Sequence, residues 1–417
     1  MDRLLERFWE YVAINSQSKT YTKAKPSSSG QVKLAKLLFT ELLELGVSTS
    51  ELLENGCVMA KLPANIEYSV PAIGFISHLD TSPDFVGKNV KPQLIENYRG
   101  GDIALGTGNS VLSPVMFPIL HEMIGKTIIT TDGKTLLGAE NKAGIAEIMT
   151  AISHLEQQNI PHGDIYIVFT PDAQIGRGAH NIDLEKFNVQ WAYSLLRRGI
   201  GGLEYENFNI ANVRIKIIGK GTLKESSKEG MVNALTLATR IHNQIPSHEI
   251  AKSTIMDQGF YHLNGIKGTV EKTEMNYIIC DFDKQNFAKR KLAMFQIAEE
   301  LGKDLHPDCY IELTVDDICY NMNKVVCQHP HVIEIAKQAM IDCHLKPIVQ
   351  PMRDITHGLL LTDYGIPCPN IFTGGYNFHS KYEFISLEGM QQAVEVILRI
   401  VTLTAQYGKS DRVAVNE

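Results

Sequence analysis

A chain of 417 residues, 44% hydrophobic and 21% charged, is long enough for two or three domains with large cores and too apolar to be disordered. A formal charge of −7 with a pI near 6.1 leaves no electrostatic footprint for nucleic acid or an anionic membrane, so small neutral or polar ligands fit better. The first ten residues scatter charges among apolar positions, no run of about 18 apolar residues occurs, and the seven cysteines are odd in number and dispersed, which together predict reduced thiols in a cytoplasmic protein.

In chain order, Val32, Ala35, Leu38, Leu42 and Leu45 recur at helical steps and Gly46 follows where a left-handed cap costs little, so residues 30 to 46 read as a helix. Pro71 to Ser77 is a short apolar run, as a strand buried on both faces would be, and it ends in His78-Leu79-Asp80. A helix from about Asn141 carries Ile145, Ile148, Met149, Ile152 and Leu155 on one face, and Asp164 to Thr170 is a second buried strand. This is the grammar of an α/β domain with a mostly parallel sheet.

Near Phe208 the pattern changes. Val213, Ile215 and Ile217 alternate with wetter positions, then follow a helix from about Met231 to Asn243, a strand pair within 260–283, a helix from about Lys284 to Leu301 and the strand Cys309 to Val315. The order β-α-β-β-α-β is that of a ferredoxin-like α+β sandwich. From about Met322 the α/β style returns and closes with a long helix capped by Ser386. The expected organisation is a discontinuous α/β domain, residues 1–207 and 321–417, interrupted by a second domain at 208–320.

Ligands of open α/β sheets gather outside the carboxyl ends of strands, which draws attention to His78 and Asp80. A His-x-Asp spacing places both side chains on one side of an extended segment, imidazole as metal ligand and carboxylate as the group that orients it. Read alone, the tripeptide suits a surface histidine and aspartate better than a metal site.

Longer motifs surround it. The stretches Gly74 to Asp84, Glu96 to Gly106, Thr130 to Ala139, Leu305 to Leu313 and Phe372 to His379 together resemble the peptidase T family of two-zinc tripeptide aminopeptidases, and the resemblance runs from the first helix to about Gln406. It implies a zinc-peptidase-type α/β domain interrupted by a lid and dimerisation domain, with a homodimer through that lid. It also implies zinc ligands at the positions of His78 and His379, support for the first from Asp80, and a carboxylate bridging both ions at position 140.

Several family positions are changed. The bridging Asp is Glu140, one methylene longer, a poor fit where ligand distances are roughly 2.0 to 2.2 Å. The general base is replaced by Ala173, the ligand Glu beside it by Gln174, and a ligand Asp by Leu196. The lid His that reaches the site becomes Leu223 and a carboxylate-binding Arg becomes Cys280, while Arg353 is kept in a rewritten loop. Losing a general base alone costs about 10²- to 10⁴-fold. His78, Glu140 and His379 remain as metal ligands, too few for two ions, and Asp80 is left as a catalytic vestige. The expectation is a protein of this family that is not an enzyme and holds no zinc or holds it weakly. Two alternatives stand beside it: an active zinc aminopeptidase with substituted ligands such as Glu140 or His357, and a scaffold that pairs with an active peptidase through the open sheet edge of the lid. Arg197, Arg198 and Arg353 are candidates for an altered pocket. His329 and His331 have the look of a metal pair but suit a structural role at a helix start, and Cys280 reads as an inert thiol.

Overall fold

The computed structural model describes residues 3–196, 199–221, 231–255, 258–352 and 356–415, with side chains as far as residue 408. It divides into two compact units, Met1–Tyr205 with Val325–Gln350 and Ile355–Glu417, and Glu206–Lys324 with Pro351–Asp354. The second unit therefore takes a few residues more on each side than hydrophobic alternation marks. The physical reason is polar: Asn207 Nδ2 donates to the carbonyl of Tyr320, and Asn207 Oδ1 accepts from the amide of Met322.

In the first unit, helices α1 (Arg3–Ala13), α2 (Ser29–Glu44) and α3 (Ala139–Gln158) accompany strands β1 (Val58–Leu62), β2 (Ile73–His78), β3 (Ile165–Thr170) and β4 (Trp191–Leu195). Strand β2 runs parallel to β3 on one side and to β4 on the other, while β1 is antiparallel to β3, so the centre of the eight-stranded sheet is parallel. All six residues of β2 are buried, which is why its sequence is apolar without alternation. Helix α3 is buried along most of its length, including Ile145, Ile148, Met149, Ile152 and Leu155. The chain ends in a long helix, Leu387–Val415, whose first turn is held by the amide of Gly389 donating to Ser386 Oγ at 3.0 Å.

Helix α2 ends as its sequence requires, with Gly46 at φ +92° where a side chain would be strained. Its buried face departs from the apolar reading by including Glu41. Arg7 Nε lies 2.6 Å from that carboxylate and Tyr11 donates to it at 2.5 Å, so a buried charge is paired rather than excluded.

The second unit has strands of residues Asn209–Ile218, Phe260–Gly268, Lys272–Asp281 and Tyr310–Cys319 and helices Ala234–Asn243 and Lys284–Gly302. Numbered within the unit, its strands lie in the order 2-3-1-4, all neighbours antiparallel, the ferredoxin-like arrangement. Asn233 caps the first helix by accepting from the amides of Leu235 and Thr236, and Asp283 caps the second through Asn286. Its core is Val213, Ile215 and Ile217 packed with Leu237, Ile241, Met275 and Phe287.

Candidate active site

The register of the sheet sets the site. His78 and Thr170 are paired neighbours at the carboxyl ends of β2 and β3. His78 is 1% exposed and Asp80 is fully buried, so neither is the surface residue that the tripeptide alone would allow. Asp80 Oδ1 lies 3.2 Å from His78 Nδ1, and its two oxygens accept from the amides of Ala173 and Gln174 at 2.9 Å each. One carboxylate thus orients the imidazole and pins the turn after β3.

That turn is held from the other side as well. Asp172 sits in left-handed backbone at φ +61°, uncommon for a residue with a side chain. Its carboxylate accepts from the amide and hydroxyl of Ser27 and from Gln31 Nε2, and its own amide donates to Gln31 Oε1.

Across the site, α3 begins at Gly138, which has φ +80° and offers no capping side chain. Glu383 does the capping from far along the chain, accepting from the amides of Leu137, Gly138, Ala139 and Glu140 at 2.7 to 3.3 Å. Burial pushes its carboxyl up to about 7, opposed by those backbone donors. Asn141 ties the same turn to the end of β2 by donating to the carbonyl of His78 at 3.0 Å. Lys142, 1% exposed, donates to the carbonyl of Ile14, and burial draws its ammonium down to about 7.

The first turn of α3 delivers Glu140, 3% exposed. Its Oε2 accepts from Gln174 Nε2 at 2.9 Å and from His379 Nε2 at 2.5 Å. His379 stands in left-handed backbone at φ +63°, and its other ring nitrogen lies 3.3 Å from Asp84 Oδ2. His78, Glu140 and His379 are therefore all placed in the α/β unit, with Glu140 and His379 in direct contact.

His357, named from sequence as a replacement ligand, opens the helix His357–Asp363 and is 3% exposed. Its Nε2 meets Thr170 Oγ1 at 2.5 Å, its ring centre lies 5.9 Å from that of His78, and its Nδ1 has no partner among the described residues. Burial, assisted by His78, lowers its pKa to about 3, so it is a neutral imidazole. A Cβ added at Gly178 would stand 2.7 Å from His357 Nε2 and 2.8 Å from Ala173 Cβ, so the wall behind Ala173 is closely packed.

These residues do not fit the two zinc ions that the family resemblance implies. Among the described residues no three His, Cys, Asp or Glu side chains converge as a metal site would require. Leu196 is buried hydrocarbon whose amide donates to the carbonyl of Ile371, and Ala173 ends at Cβ.

Other residues singled out from sequence lie elsewhere. His331 stacks on Tyr407 at 5.1 Å and meets Trp191 edge-on at 5.0 Å, an aromatic packing group. Cys280 is buried in the second unit, and all seven cysteines are free thiols. Arg197, Arg198, Leu223 and Arg353 fall outside the described residues. Among the described residues no helix is long and apolar enough to cross a membrane. Sequence reasoning missed Asp84, whose Ser82-x-Asp84 turn was a legible signal, and Glu383, whose contacts lie some 245 residues away and leave no local trace.

The model of peptidase family M20/M25/M40 matches residues 137–403. Peptidase T of Serratia proteamaculans is 57% identical over 409 residues, covering 98% of this chain and all of that protein, and Peptidase T of Salmonella typhimurium is 56% identical over the same shares. Among solved structures, aminopeptidase PepT from Bacillus cereus has a TM-score of 0.76 at 21% identity, covering 97% of this chain and 98% of its own. A tripeptidase from Staphylococcus aureus gives 0.74 at 20%, with the same coverage.

These relatives correct one expectation, that the chain is not an enzyme. Proteins more than half identical along nearly its whole length carry an enzyme's name. The physical reason is that the changes at positions 140, 173, 174 and 196 are local. They leave the frame whole, and Glu140 still brings a carboxylate to the strand ends. With its sheet, its inserted sandwich and its full-length relatives agreeing, the chain belongs to peptidase family M20/M25/M40 and within it is peptidase T-like.

Proposed function

We propose that this chain hydrolyses short peptides, releasing the N-terminal residue of tripeptides, with Glu140 as the carboxylate that takes a proton from the attacking water. The observation that carries the reading is the position of Glu140. It is a buried carboxylate beside the carboxyl ends of the parallel strands, hydrogen-bonded to His379 and Gln174. Ala173 cannot perform that task, and Asp80 is engaged by two amides and by His78. The full-length likeness to proteins named Peptidase T, and the fold shared with an aminopeptidase and a tripeptidase, support peptides as the substrate class.

In this reading Glu140 takes the proton of the attacking water and the same carboxyl returns it to the leaving amine, while the Nε2–H of His379 donates to Glu140 Oε2 and holds that carboxylate in place. Asp80 holds His78 and the turn after β3 in register around the substrate. In this reading zinc is absent or weakly held and takes no part in the reaction.

The test is release of the N-terminal amino acid from an unblocked tripeptide by the wild-type chain and by Glu140→Gln. Turnover by the wild type that falls about 10²- to 10⁴-fold in the variant supports the proposal. Equal release by both, or none by either, overturns it.

A further inference from the structure

Two carboxylates cannot share a site within about 3 Å unless a cation or a proton stands between them. The resemblance places acids at both 140 and 174; this chain has one acid and one amide there. Gln174 Nε2 donates to Glu140 Oε2 at 2.9 Å, and His379 Nε2 donates to the same oxygen at 2.5 Å. The root of Gln174 is fixed, because its backbone amide is bound by Asp80 Oδ2 at 2.9 Å. The root of Glu140 is fixed by Glu383, which accepts from the amide of Glu140 itself.

A change from acid to amide at position 174 turns a repelling neighbour into a donor, at no cost in size. Leu196, buried at 5% exposure, replaces another acid with hydrocarbon and asks nothing of a cation.

We propose that this site is built to stand without a metal ion, the amide of Gln174 and the imidazole of His379 supplying at Glu140 the positive partners that a cation would otherwise supply. Oε2 of Glu140 is engaged by both donors, and zinc taking that oxygen as a ligand would have to break its contact with His379 or Gln174.

The experiment is thermal unfolding of the full chain in chelator and in excess zinc, beside elemental analysis of the purified protein. The wild type is expected to carry zinc far below one ion per chain and to melt at the same temperature in both solutions. Gln174→Glu restores the acid pair, so it melts lower in chelator by roughly 2 °C and regains that loss in zinc. Two tightly held zinc ions in the wild type, or a zinc-dependent rise as large in the wild type as in the variant, overturns the proposal. If the variant does not fold, metal content and a zinc titration of the wild type decide the matter. Neither readout involves turnover, so failure here and failure of the proposed hydrolysis are separate results.

Discussion

The two sides of the site are stabilised differently. On the His78 side, every anchor is short and regular: a strand end, a paired strand end at Thr170, and the turn at Ala173 and Gln174 whose amides bind Asp80. On the Glu140 side, the helix start has no cap of its own and is held by Glu383 and bound through Glu140 to His379, both from far along the chain. The first side keeps the residues that the family resemblance implies at positions 78 and 80. Both sides carry exchanged side chains, Ala173 and Gln174 on the first and Glu140 on the second, and on both the backbone amides of those residues are bound by a buried carboxylate, Asp80 or Glu383. A frame built from backbone donors tolerates new chemistry, because amides do not depend on which side chains project from them.

The largest effect is expected where that frame depends on one residue. Glu383→Ala leaves the amides of residues 137 to 140 buried with no acceptor, at about 1 to 3 kcal/mol for each group left unsatisfied and about 3 kcal/mol in all once water enters. The urea midpoint of the variant against the wild type checks it. An unchanged midpoint would mean that the Glu140 side is held by something other than this carboxylate.

A smaller effect tests the opposite side. Gly178→Ala pushes a methyl to within 3 Å of both His357 Nε2 and Ala173 Cβ, which is overpacking of about 2 kcal/mol. The same midpoint measurement applies, and a neutral result would show that the wall behind Ala173 can yield.

What could be read from the sequence follows the same division. The buried strands ending at His78 and Thr170, the face of α3, the β-α-β-β-α-β order and the cap at Ser386 all follow from local periodicity and local capping, and the fold carries them. His78 and Asp80 were visible because they sit at a strand end. Glu140 and His379 were visible only by resemblance, and nothing local says that they touch. Glu383 was invisible, since a cap supplied from some 245 residues away has no spacing to find. The ion pair of Arg7 with Glu41 was missed for a related reason: an apolar stripe predicts what a helix buries, and a charge inside it makes sense only with its partner. The inference of inactivity failed because it counted lost side chains and gave no weight to those that stayed.

The smallest effect sharpens the comparison within a single helix. Glu140 and Glu147 lie seven residues apart on α3, about two turns. Glu140 accepts from Gln174 and His379, whereas both carboxyl oxygens of the fully buried Glu147 have no hydrogen-bond partner among the described residues. Burial raises the Glu147 pKa well above 4.5, its ordinary value. The folded chain therefore keeps a proton that the unfolded chain releases, and the stability tied to Glu147 is fully present below pH 4.5 and drains away as pH rises toward the folded value. Glu147→Gln cannot ionise, so its stability should be flatter from pH 5 to 8 and exceed that of the wild type near neutrality. Urea titrations at several pH values measure the difference. Parallel curves for the two proteins would mean that Glu147 finds a partner or water in solution, and the contrast between an acid with donors and one without would not hold.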